Sequence, residues 1–118
     1  MNLTSNYSPK SSDDLLANKP NGTLYLGHTD DLGERILQHK LKVNRGFSSK
    51  YHCVRLVWFE THETRESAFK RERRMKKWNR AWKIRKIETD NPNWDDLYGG
   101  LTTEQVYHPR HQFQATKL

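Results

Sequence analysis

A phenol at Tyr25, a guanidinium at Arg35, an imidazole at His39 and a carboxylate at Glu72 are the groups in this 118-residue chain whose types and spacing fit one chemistry. Arg35 and His39 stand at i and i+4, stacked on one helix face. At 100° per residue, Leu32, Ile36, His39 and Val43 fall within about 60° of one another, and Arg35 lies about 60° from Leu32 at the edge of that core-facing stripe. Taken alone, the pair also fits an ordinary boundary histidine and a snorkelling arginine. Glu72 says more. With Ala68 as reference, Met75 and Asn79 lie about 20° to either side and Glu72 about 40° away, so an apolar helix face carries a carboxylate. Such a group is costly to bury unless it is paired or binds a metal. Arg65 or Lys76 on neighbouring turns can pair with it; a hard divalent cation, which favours oxygen ligands and keeps water and phosphate in its shell, is the other partner. Phosphodiester hydrolysis needs an activated water, charge stabilisation on the phosphate and help for the leaving alkoxide. The four groups together match that demand.

The elements that must position them are short. Pro20-Asn21-Gly22 signals a tight turn between a first strand near residues 13–18 and a second near 23–27. Alternation puts Leu24 and Leu26 on one face of the second strand and Thr23, Tyr25 and Gly27 on the other. Asp31 with Glu34 resembles a capping arrangement and predicts a helix over 31–42. Gly46 and Ser48-Ser49 mark a loop, and CVRLVWFE at 53–60 reads as a strand. Helices follow over 63–78 and 80–88, the second ended by Asn91-Pro92. The order β-β-α-β-α-α predicts an α+β domain over 13–98: a small three-stranded sheet, antiparallel or mixed, flanked by helices, with an atypical first strand. Residues 1–12 read as a disordered amino terminus and 99–118 as a polar tail, whose His108 and His111 are weak metal candidates.

Composition limits the rest. Only 33% of residues are hydrophobic and the net charge is +7. The core must therefore lean on aromatics: Trp58, Trp78, Trp82 and Trp94, with Phe47, Phe59 and Phe69. Residues 65–86 hold eleven Lys or Arg against Glu66 and Glu72, a local +9. This is the footprint of a polyanion partner, nucleic acid first; a solubilising face is the plainer reading. Lys70, Arg73, Arg74, Lys76, Lys77, Arg80 and Lys83 are the contacts it nominates. Cys53 is the only cysteine, so neither a disulfide framework nor a disulfide-linked partner is expected. A polar amino terminus and the lack of a long apolar run predict a cytoplasmic chain with no membrane partner.

"Leu-Tyr-Leu-Gly" at 24–27, then "His-Thr-Asp-Asp-Leu-Gly-Glu-Arg" and "Gln-His-Lys", resembles the second half of the GIY-YIG nuclease signature, as found in small single-domain bacterial members. The similarity continues through "Leu-Val-Trp-Phe-Glu-Thr-His" (56–62), "Arg-Glu-Arg-Arg-Met-Lys-Lys-Trp" (71–78), "Arg-Ala-Trp-Lys-Ile" (80–84) and "Asn-Pro-Asn-Trp-Asp-Asp-Leu-Tyr" (91–98). The resemblance implies a metal-dependent endonuclease acting on nucleic acid, in the first place DNA. It makes Tyr25 the tyrosine of the YIG half, Arg35 the arginine on the scissile phosphate, and His39 an aid to proton movement or substrate positioning. Glu72 becomes the ligand of one Mg2+ or Mn2+, and His28 a secondary candidate.

One departure stands out. Relatives carry a tyrosine in the first strand where this chain has Asp13-Asp14-Leu15. Its loss leaves three readings: a catalytically impaired nucleic-acid-binding module, an enzyme with a substitute group, or an altered amino terminus over residues 1–18. A protein-interaction domain with Trp78 and Trp82 as an exposed anchor is a further, different reading.

Overall fold

The computed structural model describes residues 10–44 and 52–101. It contains strands β1 (Ser11–Ala17), β2 (Leu24–Thr29) and β3 (Arg55–His62) and helices α1 (Leu32–Asn44), α2 (Arg65–Lys76) and α3 (Arg80–Asp90), then a 3-10 turn over Leu97–Gly100. The three strands form one sheet in the order β2-β1-β3, and both pairings are antiparallel. The expected α+β order is therefore observed, with no parallel pair in the sheet. β1 begins at Ser11, within the segment expected to be disordered, and it is the central strand, buried along its whole length. The expectations on residues 1–9, the loop at Gly46 and Ser48-Ser49, Phe47 and the tail beyond Leu101 lie outside the described residues.

The β1–β2 connection follows from its turn residues. Asn21 sits at φ 57°, a left-handed conformation that asparagine tolerates. The Gly22 N–H donates to Lys19 O (2.9 Å) and the Thr23 N–H to Asn18 Oδ1 (2.9 Å). This turn sets the register that pairs Leu16 with Tyr25, Asp14 with Gly27 and Asp13 with His28.

Helices cover both sheet faces. On one, Leu16 and Leu56 pack with Leu32 and Ile36 of α1 and with Cys53. On the other, Leu15, Ala17, Val57 and Trp58 pack with Met75 of α2, Ile87 of α3 and Trp94. A register shift between Leu15 and Leu16, opposite Trp58 and Leu56, leaves Val57 as the extra residue and puts the bulge in the edge strand β3. Trp58 and Trp94 are core residues as expected, and Trp78 packs at the core's edge. Phe69 and Trp82 are not: they remain 43% and 51% exposed, Phe69 edge-on to His28 and Trp82 edge-on to Trp78.

Candidate active site

β2 and α1 build the first half of the site. Tyr25 projects on the α1 side of the sheet, and the ring of His39 lies 5.9 Å from its centroid at 58°. The Arg35 guanidinium sits over the same phenol ring at 5.5 Å. Asp31 Oδ1 accepts from the Glu34 N–H (3.2 Å) at the start of α1, which fixes the turn that delivers Arg35. Gly27 makes the approach possible, since a Cβ there would collide with Arg35 Nη2. Burial, with Arg35 and Lys42 nearby, holds the His39 imidazole below its ordinary value and so neutral at pH 7.

Asp14, opposite Gly27, is part of this group, although its stretch of sequence signalled only a missing first-strand tyrosine. It is wholly buried, and its Oδ2 accepts from Arg35 Nε at 2.7 Å. Burial raises its carboxyl to about 6 even against that guanidinium; Glu72 pushes further up and His28 down. Arg35 Nη2 and Asp14 Oδ1 have no hydrogen-bond partner among the described residues.

Glu72 belongs to the other side. It is buried with Ala68 and Met75 on the inner face of α2, as the helical period required. Its partners are His28, whose Nδ1 lies 2.5 Å from Oε1, and Lys76, whose ammonium lies 3.1 Å from Oε2. Arg65 instead pairs with Asp30. Burial works against ionisation of Glu72, but the hydrogen bonds from Lys76 and His28 outweigh it and hold the carboxyl below its usual range. Tyr25, Arg35 and His39 thus meet, whereas Glu72 meets His28 and not those three. Asp14 is the electrostatic link, since it responds to Arg35 and to Glu72 and His28. Asn79 does not share Glu72's face. α2 ends at Lys76, so the helical projection stops short of Asn79, which caps α3 by accepting from the Trp82 N–H (2.9 Å).

The Glu72 carboxylate fits a hard cation by its chemistry: it is anionic at neutral pH, and one of its oxygens already faces an exposed ammonium that an ion can displace. Of the nominated basic residues, Lys70, Arg73, Arg74, Lys76 and Lys77 are solvent-exposed on α2 and its end, and Lys83 is half-buried on α3. Arg80, also exposed, donates through Nη2 to Asn21 O (2.7 Å) and Gly22 O (2.8 Å), tying α3 to the hairpin turn. Trp78 and Trp82 meet edge-on at 6.3 Å and, with Arg85, Lys86 and Thr89, line an open groove of about 310 Å³. Among the described residues, no helix is long and apolar enough to cross a membrane.

A phenol, a guanidinium and an imidazole gather between β2 and α1, and the basic helix α2 packs on the other face of the sheet. The GIY-YIG catalytic domain, a nuclease-type domain, matches residues 15–85, and the chain belongs to the GIY-YIG family. UPF0213 proteins of Staphylococcus aureus strains Mu3, Mu50 and N315 are each 39% identical to it over 71 residues, covering 57% of this chain and 82% of theirs. No solved structure matches the chain.

Proposed function

We propose that this domain is an endonuclease that hydrolyses phosphodiester bonds in nucleic acid, DNA in the first place, with one Mg2+ or Mn2+ held at Glu72. The observation that carries this reading is the convergence of Tyr25, Arg35 and His39 in a chain with the GIY-YIG catalytic domain. Arg35 presents a planar, permanently charged donor to the scissile phosphate. His39, kept neutral, accepts or relays a proton. Tyr25 orients both groups and lends its hydroxyl to the attacking water or the phosphate. The ion supplies charge neutralisation on the phosphate when bound. Lys70, Arg73, Arg74, Lys76, Lys77 and Lys83 guide the polyanion, with His28 setting the orientation of the Glu72 carboxylate.

The test is cleavage of branched, nicked and single-stranded DNA with Mg2+ or Mn2+. Metal-dependent cleavage that Glu72→Ala abolishes is expected. No cleavage on any of these substrates, or equal cleavage by the variant, rejects the reading.

One observation favours the impaired, binding-only reading. Asp14 holds Arg35 Nε internally, where a substrate phosphate is meant to be. That reading predicts binding with steep salt dependence and indifference to chelator. Chelator-sensitive binding, or none, counts against it.

A further inference from the structure

A separate cluster lies on the α2 side of the sheet, assembled by strand register. Asp13 on β1 stands directly opposite Glu60 on β3, and Ser11 stands opposite His62. Because side chains alternate along a strand, Asp13, Glu60 and His62 share one face. His62 Nε2 lies 2.9 Å from Glu60 Oε1 and 3.1 Å from Asp13 Oδ2, and one donor atom from each residue falls within 4.8 Å of the others.

Asp13 is wholly buried, and neither carboxylate oxygen has a hydrogen-bond partner among the described residues; the same holds for the buried Ser11 hydroxyl. A buried carboxylate whose near neighbour is one imidazole shared with a second acid is costly to leave so weakly compensated. Arg71 Nε donates to Glu60 Oε1 at 3.1 Å, but it supplies one positive charge against two acids. His62 Nδ1 is held by Ser67 Oγ at 2.7 Å, the kind of outer contact that orients a ligating imidazole and points its other nitrogen at an ion.

We propose that Asp13, Glu60 and His62 form a divalent-metal site, separate from Glu72, for a borderline ion of the Zn2+ class. One imidazole nitrogen and two carboxylate oxygens suit such an ion better than the all-oxygen shell a harder ion prefers. Donors about 2.0–2.1 Å from a tetrahedral ion stand roughly 3.3 Å apart, so the two separations from His62 Nε2 need only a small expansion. Three protein ligands leave a fourth position for water. The site clamps the central strand to β3 beneath α2, and the inference is independent of the endonuclease reading.

The test uses the full chain stripped with chelator, then titrated with Zn2+ by calorimetry and with Co2+ by visible absorption, with metal content measured after gel filtration. One ion per chain is expected, with a rise in melting temperature because the ion binds the folded state. His62→Gln and the near-isosteric Asp13→Asn should each weaken binding at least tenfold while circular dichroism shows a retained fold. Ser67→Ala, which removes a positioning contact, should weaken it less. Glu72→Gln and the tail variant His108→Gln/His111→Gln should bind like the parent. No retained ion overturns the site. So does binding that survives both His62→Gln and Asp13→Asn, or binding lost with Glu72→Gln or with the tail variant.

Discussion

Asp13 and Asp14 are neighbours in the chain, yet they belong to different chemistry. Asp14 faces α1, where Tyr25, Arg35 and His39 gather and where a guanidinium is the dominant charge. Asp13 faces α2, among Glu60, Glu72, His28 and His62, where carboxylates dominate. The β2 partners split the same way: Gly27 opens space for Arg35 while His28 grips Glu72. The two-residue period of the strands therefore sorts an anion-seeking set of groups from a cation-seeking set, and a phosphate held by Arg35 and by an ion at Glu72 would have to span the two. Asp14 is the position where they interfere, a carboxylate placed on the anion-seeking side.

The largest expected effect comes from removing that interference. Asp14→Tyr supplies the phenol that the family's first strand carries and releases Arg35 from its internal partner. General acid-base groups contribute about 10²- to 10⁴-fold, so cleavage should rise within that range if the α1 side is the reacting side. Conversely, Arg35→Ala should lower cleavage by roughly 10²- to 10³-fold, as loss of a donor to developing charge does. Arg35→Lys should not restore it, because a point charge lacks the planar fork. Steady-state cleavage rates on one DNA substrate check all three. An Asp14→Tyr variant that folds but cleaves no faster would end the assignment of Asp14 to the reacting side.

Gly27→Ala sharpens the same comparison. Its new Cβ must push Arg35 Nη2 aside, while the α2 side, reached through His28, is left alone. A misplacement near 1 Å can cost about 10²-fold, and the loss should fall mainly on kcat. The affinity for Zn2+ at Asp13, Glu60 and His62 should stay unchanged. A variant that loses metal binding with activity would show that the two sides are not separable.

How legible this was depends on the kind of element. α1 and α2 obey a 3.6-residue period, so Leu32, Ile36, Ala68, Glu72 and Met75 were assigned to inner faces from spacing alone, and they are buried. Tyr25 was likewise placed by β2 alternation. The family motif supplied roles that periodicity has no means to give. β1 was the weak point: SSDDLLA lacks the β-branched and aromatic residues that mark strands, so its start was missed and Asp13 and Asp14 read only as a defect. The partners of Asp13 depend on cross-strand register with residues more than forty positions away on β3, and that of Asp14 on a helix side chain 21 positions away, which no local pattern encodes. His62 closes the Leu-Val-Trp-Phe-Glu-Thr-His motif, and its two-residue spacing from Glu60 was the one available hint of a shared face. Lys76 as partner of Glu72 was legible, since i and i+4 are neighbours on a helix; His28 was not.

The α2 side should also have a pH signature. Burial first, then Glu60, Glu72 and Asp14, raise the Asp13 carboxyl from 3.8 to about 7, with Arg71 opposing. Over the interval between those values the folded chain holds a proton that the unfolded chain has released, so this group's contribution to stability grows as pH falls and is lost as pH rises through about 7. His39, lowered by burial, acts in the opposite sense below its ordinary 6.5. Asp13→Asn isolates the first effect. In chelator it should raise the melting temperature by several degrees near pH 8 and far less near pH 5, about 4–8 °C corresponding to each kcal/mol in a domain of this size. Equal shifts at both pH values would mean that Asp13 is not held protonated by its surroundings.

The smallest effects test the basic face, where charge alone does not define role. Lys77 and Arg80 lie three residues apart and are both exposed, and sequence reasoning assigned both to nucleic acid. Lys77 follows the end of α2, while Arg80 spends two donor contacts on the carbonyls of the β1–β2 turn. If Lys77 contacts phosphate, Lys77→Ala should reduce the slope of log K against log salt by about 1 and leave thermal stability within roughly 0.5 kcal/mol of the parent. Arg80→Ala removes hydrogen bonds that hold the turn setting the Asp14–Gly27 and Asp13–His28 pairings, so about 1 kcal/mol of stability should go with it. Its salt slope should change less than that of Lys77→Ala, because its guanidinium is already committed. A reversed pattern, with Arg80 dominating the slope and Lys77 the stability, would mean that nucleic acid crosses the hairpin turn rather than the end of α2. The polyanion track would then approach the two sheet sides from the β2 edge.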